Sequence, residues 1–136
     1  MKILLYEEAR KIWQIMTESK DPPDLTLDLE INKKVLNLFH VGDFYYFIFN
    51  VQKAEFDYIH PAVFDLLGYN ANECTVAGMM NNIHPDDRGW FLDFENTAVN
   101  FFNNLPPEKV KKYKVRYDLR VKKADGEYVR LLQQTI

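Results

Sequence analysis

The end of the chain constrains the fold most. Tyr113, Val115, Tyr117, Leu119 and Val121 alternate with Lys114, Arg116, Asp118, Arg120 and Lys122. A period of two places these sets on opposite faces of a strand, one against a core and one toward water. Asp125-Gly126 supplies a hairpin turn, and residues 128–136 supply the partner strand. That partner is apolar on both faces: Val129 and Leu131 on one, Tyr128, Leu132 and Ile136 on the other. Both its sides therefore call for partial cover, so helices or further strands must pack against this hairpin.

Earlier segments supply that cover. Residues 2–19 read as an amphipathic helix, with Leu5, Ala9, Ile12 and Met16 at three- to four-residue spacing and Tyr6 and Trp13 beside them. Asp21-Pro22-Pro23-Asp24 stops it, because proline cannot continue a helix. Residues 25–31 alternate with period two, as a strand does. Ile31, Val35, Leu38 and Phe39 also fit a helix toward Gly42, and a helix over 29–39 is favoured. Residues 44–51 are aromatic and β-prone, and a short turn leads to a second strand at 55–59. His60-Pro61 opens a short helix that Gly68 ends. Asn70-Ala71-Asn72-Glu73 has capping-box spacing and predicts a helix to about Gly78. His84-Pro85-Asp86-Asp87 starts a longer helix, with proline in its first turn and carboxylates at the positive end of the dipole. Asn103-Asn104-Leu105-Pro106-Pro107 ends it. The order is helices, hairpin, helices, hairpin, which is an α+β class with one antiparallel sheet.

Composition narrows the function classes. With 136 residues, 47% hydrophobic and 15% aromatic, the chain is sized for one core and is not a disordered polymer. Its longest apolar run is the six residues 44–49, far short of the ~20 that span a membrane. Glu7-Glu8 interrupts the apolar start, which argues against a signal peptide. One cysteine, Cys74, excludes a disulfide framework and points to a reducing cytoplasm. The net charge of −3 divides unevenly: residues 109–136 hold nine basic and three acidic side chains. The wet face of a sheet accounts for this. Direct nucleic-acid binding through residues 109–123 is the sharper alternative.

In this order and at these spacings the motifs resemble a PAS domain. The resemblance is carried by Phe47-Ile48-Phe49-Asn50, Tyr58-Ile59-His60-Pro61-Ala62, Leu66-Leu67-Gly68-Tyr69, Ile83-His84-Pro85-Asp86-Asp87-Arg88 and Lys123-Ala124-Asp125-Gly126-Glu127-Tyr128. It covers residues 42–136, with 1–41 as an N-terminal helical extension that covers the sheet or dimerises. The extension and the ending Leu131-Leu132-Gln133-Gln134 are similar to the sensor half of bacterial regulators that carry a LuxR-type helix-turn-helix. The resemblance implies a cytoplasmic sensor, not an enzyme, that forms a homodimer. It would meet DNA only through an output domain outside this chain. It also implies a sheet with helices on one face, whose fifth, central strand would follow residue 136. The resulting gap would be filled by residues 25–31 or by a second copy.

The candidate sites follow. Phe47, Phe49, Phe56, Phe64, Trp90, Phe94 and Tyr117 would line any cavity for a small apolar ligand between sheet and helices; close packing favours a filled core instead. Tyr6, Ile12, Trp13 and Met16 would pack on the sheet's outer face and on a second copy. His40, His60 and His84 are spaced 20 and 24 apart, which matches no compact metal motif. Light-sensing relatives carry Asn-Cys-Arg-Phe, whereas this chain reads Glu73-Cys74-Thr75-Val76. Haem-binding relatives carry a histidine on the long helix, and residues 89–104 contain none. Neither a flavin nor a haem signature is present. An enzyme rival is a small cone fold of the cyclase or dehydratase kind. It would need His60 or His84 in a closed pocket within ~3 Å of a carboxylate.

Overall fold

The computed structural model describes residues 2–17, 30, 31, 34 and 43–135. The elements are α1 (Lys2–Thr17), β1 (Phe47–Asn50), β2 (Glu55–Ile59), α2 (Val63–Leu67), α3 (Val76–Asn81), α4 (Pro85–Asn103), β3 (Val115–Lys122) and β4 (Tyr128–Thr135). Short 3-10 turns occupy Ala71–Glu73 and Pro107–Lys112. The fold is α+β, and its strands form two separate two-stranded antiparallel sheets, β1 with β2 and β3 with β4. Glu30, Ile31 and Lys34 are helical, as the favoured reading of that segment expected. Of residues 25–31, offered as a strand to fill a gap, Glu30 and Ile31 are therefore helical, and 25–29 lie outside the described residues.

The β3–β4 hairpin forms as its alternation dictates. Tyr117, Leu119 and Val121 are buried, while Arg116 and Asp118 on the other face are exposed. Lys123 N–H donates to the Glu127 carbonyl at 2.7 Å, and Gly126, at φ 90°, donates to the Lys123 carbonyl at 2.9 Å. Counting from this bonded pair, the ladder alternates so that Arg116, Asp118, Arg120 and Lys122 turn their backbone groups away from β4. The C-terminal half of that edge, at Arg120 and Lys122, is then closed. Lys122 N–H donates to the Asn82 carbonyl at 2.8 Å, and His84 N–H donates to the Arg120 carbonyl at 2.9 Å. Tyr69 hydroxyl donates to the Lys122 carbonyl at 2.7 Å. Asp87 accepts the Arg120 backbone N–H at 2.9 Å and grips its guanidinium through both oxygens, at 2.6 and 3.1 Å. The sequence offers Asp87 as a helix-start carboxylate; among the described residues it is the one charged residue that is fully buried, held by a partner 33 positions away.

The opposite edge of the hairpin differs. By the same count, Tyr128, Arg130, Leu132 and Gln134 present their backbone groups on β4's outer side, and no described strand pairs with them. The cover expected on both faces of β4 is only partly present. Tyr128 lies against the His84 ring at 4.7 Å, but Leu132 is 71% exposed.

The helices gather on the inner face. α1 packs against α3 and α4, and α4 packs against β3. Leu5, Ala9 and Trp13, four apart, form the buried stripe of α1. This corrects the expectation that α1 lies over the sheet's outer face: its aromatic side finds partners on α4 and β1 instead. Two local signals also moved. The cap at Asn70 does not form; Thr75 caps α3 by accepting the Gly78 N–H at 3.0 Å. β1 is shorter than the aromatic run that encodes it, and a register shift lies between Ile48 and Phe49.

Gly68 ends α2 at φ 86°, a left-handed conformation. A Cβ there would lie 2.8 Å from the Ala124 Cβ. The close approach lets Ala124 N–H donate to the Leu67 carbonyl at 2.8 Å, which ties α2 to the β3–β4 turn. Gly68→Ala combines strain and clash, and should cost about 2 kcal/mol or more by urea denaturation. Asp87→Ala leaves the Arg120 backbone N–H and guanidinium without their acceptor and should lower the urea midpoint, by less than for a fully buried pair because Arg120 keeps contact with water. Arg120's guanidinium beside it holds the Asp87 carboxyl well below the usual range. A lowered native value contributes stability above the unfolded pKa that is lost as pH falls through the acid range. The variant's stability curve should therefore converge on the parent's in acid.

Candidate functional site

Tyr117 stands at the centre of the inner face. Three rings of α4 surround it: Phe94 at 4.6 Å and Trp90 and Phe91 at 6.0 Å each. A helical spacing of three to four residues brings Trp90/Phe91 and Phe94 to one side of α4. Trp13 on α1 meets Phe49 of β1 edge-on at 4.6 Å, and Phe47 lies 5.1 Å from Phe56.

Glu95 joins these groups. The Trp13 indole N–H donates to its Oε2 at 3.1 Å, and the Tyr117 hydroxyl donates to its Oε1 at 3.0 Å. Gln133 on β4 donates to the Tyr117 oxygen at 2.8 Å. Four elements thus meet through one hydrogen-bonded chain, Trp13–Glu95 and Gln133–Tyr117–Glu95. Both donors to the carboxylate are neutral, and no cation pairs with it among the described residues. Burial pushes the Glu95 carboxyl up, opposed by the two donated hydrogen bonds. Burial and the adjacent Glu95 push Tyr117 far above its ordinary value, so it remains a donor. The site therefore holds one proton-exchangeable group at a junction of otherwise apolar packing.

The seven residues predicted to line a cavity are divided. Trp90, Phe94 and Tyr117 come together, as do Phe47, Phe49 and Phe56, whereas Phe64 is 54% exposed on α2. An open groove of about 360 Å³ includes Phe94 alone of the set. A hollow of about 320 Å³ beside α3 includes Phe56 alone. The proposed dimer contacts divide similarly. Trp13 is buried in the chain's own core, and the Tyr6 hydroxyl donates to the Ala54 carbonyl at 3.1 Å. Ile12 is half-buried against the same core, and the side chain of Met16 lies outside the described residues.

The histidines serve backbone. His84 Nδ1 accepts the Asp86 N–H at 3.1 Å and so caps α4. Its nearest carboxylate, that of Asp86, is 3.9 Å away at the surface. His60 Nδ1 accepts the Ala62 N–H at 3.1 Å, with its ring against Tyr46. His40 lies outside the described residues. Cys74 donates its thiol to the Asn70 carbonyl at 3.3 Å, and burial, with Glu73 nearby, pushes the thiol up. Such a thiol stays protonated and is a poor nucleophile. Burial, with Cys74 beside it, pushes Tyr45 up to about 12. No described helix is long and apolar enough to cross a membrane.

Sequence reasoning missed Glu95, whose only local signal is a carboxylate on the aromatic side of α4, between Phe94 and the small residues Thr97 and Ala98. Because its native pKa is raised, the folded state binds more protons than the unfolded one once pH exceeds the unfolded value. Its contribution therefore weakens as pH rises through that window. Glu95→Gln removes this slope: measured by denaturation from pH 4 to 8, the variant should gain on the parent as pH rises. Comparison with family models, with curated proteins and with solved structures returns no match.

Proposed function

We propose that the chain is a PAS-type sensory or interaction module of a bacterial transcription regulator, cytoplasmic and non-enzymatic. It would couple the packing of its aromatic core, or a small apolar ligand held there, to the placement of α1. The observation that carries this reading is the shared Glu95 carboxylate, because α1, α4, β3 and β4 all meet through it. A change in core packing around Tyr117 alters the acceptor that holds Trp13, and hence α1. Any ligand would act by binding one α1 arrangement more tightly than another. The element order supports the resemblance, since each hairpin is followed or preceded by helices as that family has it. The two hairpins also remain unpaired with each other, as expected if a central strand belongs between them. Dimerisation through the outer side of α1 belongs to the same reading, as does an output domain that alone would meet DNA.

Trp13→Phe removes the indole donor while keeping an aromatic ring. Hydrogen exchange of the α1 amides should rise several-fold in this variant, and light scattering should show a changed dimer fraction. A parent that is monomeric at all concentrations, with α1 exchange indifferent to the substitution, would sink the coupling mechanism.

A further inference from the structure

The C-terminal half of α4 and the start of β3 enclose the open groove of about 360 Å³. Phe94, Ala98, Phe101, Phe102 and Val115 give it apolar walls, and Lys114 and Arg116 stand along it. Phe101 is 46% exposed and Tyr113 is 44% exposed, although their rings meet edge-on at 5.1 Å. So much aromatic surface open to water at one place marks a contact site rather than scattered apolar exposure.

Charge shows what would cover it. Three other cations of the hairpin face carboxylates: Arg120 on Asp87, Lys123 on Asp125 and Arg130 on Asp118. Those beside the groove do not. Arg116 donates its Nε to the neutral Gln134 amide oxygen at 2.9 Å. Lys109, Lys112 and Lys114 have no carboxylate partner among the described residues. Between residues 107 and 116 the sequence has five cations and one acid, Glu108.

We propose that this groove is a docking site for an acidic peptide segment of a partner protein, one that carries a bulky apolar side chain. The side chain would fill the space between Phe101, Phe102 and Val115, and flanking Asp or Glu residues would neutralise Lys114 and Arg116. A volume of this size holds one or two large side chains, and its open side needs a lid that a peptide backbone brings with it. The edge-on pair of Phe101 and Tyr113 does not present two parallel faces on which bases would stack, which disfavours single-stranded nucleic acid. This site is separate from the Glu95 junction, so it stands or falls independently of the sensory reading.

Selection of a random twelve-residue peptide library on the intact chain tests it. Enriched sequences should share an aromatic or leucine side chain flanked by acidic residues. A synthetic winner should bind by calorimetry, lose at least tenfold in affinity to Lys114→Glu/Arg116→Glu, and weaken at higher salt. Phe101→Ala should also weaken it, while both variants keep the parent's melting temperature. No enrichment, a neutral or basic consensus, or winners indifferent to these variants would overturn the proposal. So would tighter binding, lost in the same variants, of a thymidine oligonucleotide or of phosphatidylglycerol vesicles.

Discussion

The fold depends on one carboxylate placed against one strand edge. Asp87 sits in the first turn of α4 and binds both the backbone and the guanidinium of Arg120. That contact fixes where α4 begins relative to β3. The rest follows from rise per residue. Glu95 lies eight positions further along the helix, about 12 Å. Tyr117 lies three positions back along the strand, about 10 Å. Helix and strand run in opposite senses, so one anchored pair brings the other pair into reach. The Tyr117–Glu95 hydrogen bond and its ring of aromatics are thus set at a distance by an ion pair whose carboxylate is buried. A buried carboxylate is costly unless it is fully partnered. Asp87 meets that cost with a cation and a backbone donor, and Glu95 meets it with two neutral donors. The two carboxyls are accordingly displaced in opposite directions.

Local chemistry was legible in the sequence where one residue decides the outcome. The alternation from Val115 onward, the Asp125-Gly126 turn, the Gly68 stop and the His84-Pro85 start each act within a few positions, and each formed; Tyr113, expected on the core face, precedes the strand and is exposed. Signals failed where two local devices competed. Asn70 and Thr75 both offer a side-chain cap, and the backbone took the second because residues 71–73 tighten into a 3-10 turn. What no local pattern could give was the choice of distant partner. Asp87 reads as a dipole-matching residue until Arg120 arrives from 33 positions away. Trp13 reads as part of an outward stripe until Glu95 and Phe49 take it inward. The seven aromatic residues grouped by composition separated for the same reason: topology decides which of them meet, and it leaves Phe64 exposed.

The two sides of the β3–β4 hairpin have unequal capacity for growth. On the β3 side, Asn82, His84, Asp87 and Tyr69 have already consumed the outward hydrogen-bonding groups of Arg120 and Lys122, through a loop, a helix start and a hydroxyl. None of these can be exchanged for a strand without unseating α4. On the β4 side nothing described competes for the backbone of Tyr128, Arg130, Leu132 and Gln134. Beside Arg120 and Lys122, sheet extension is therefore directional: among the described residues, an added strand finds its free edge on β4. Such an edge beside the exposed Leu132 also carries the hazard common to unguarded strands, self-templated association. Arg130 is the charge on that strand that opposes it.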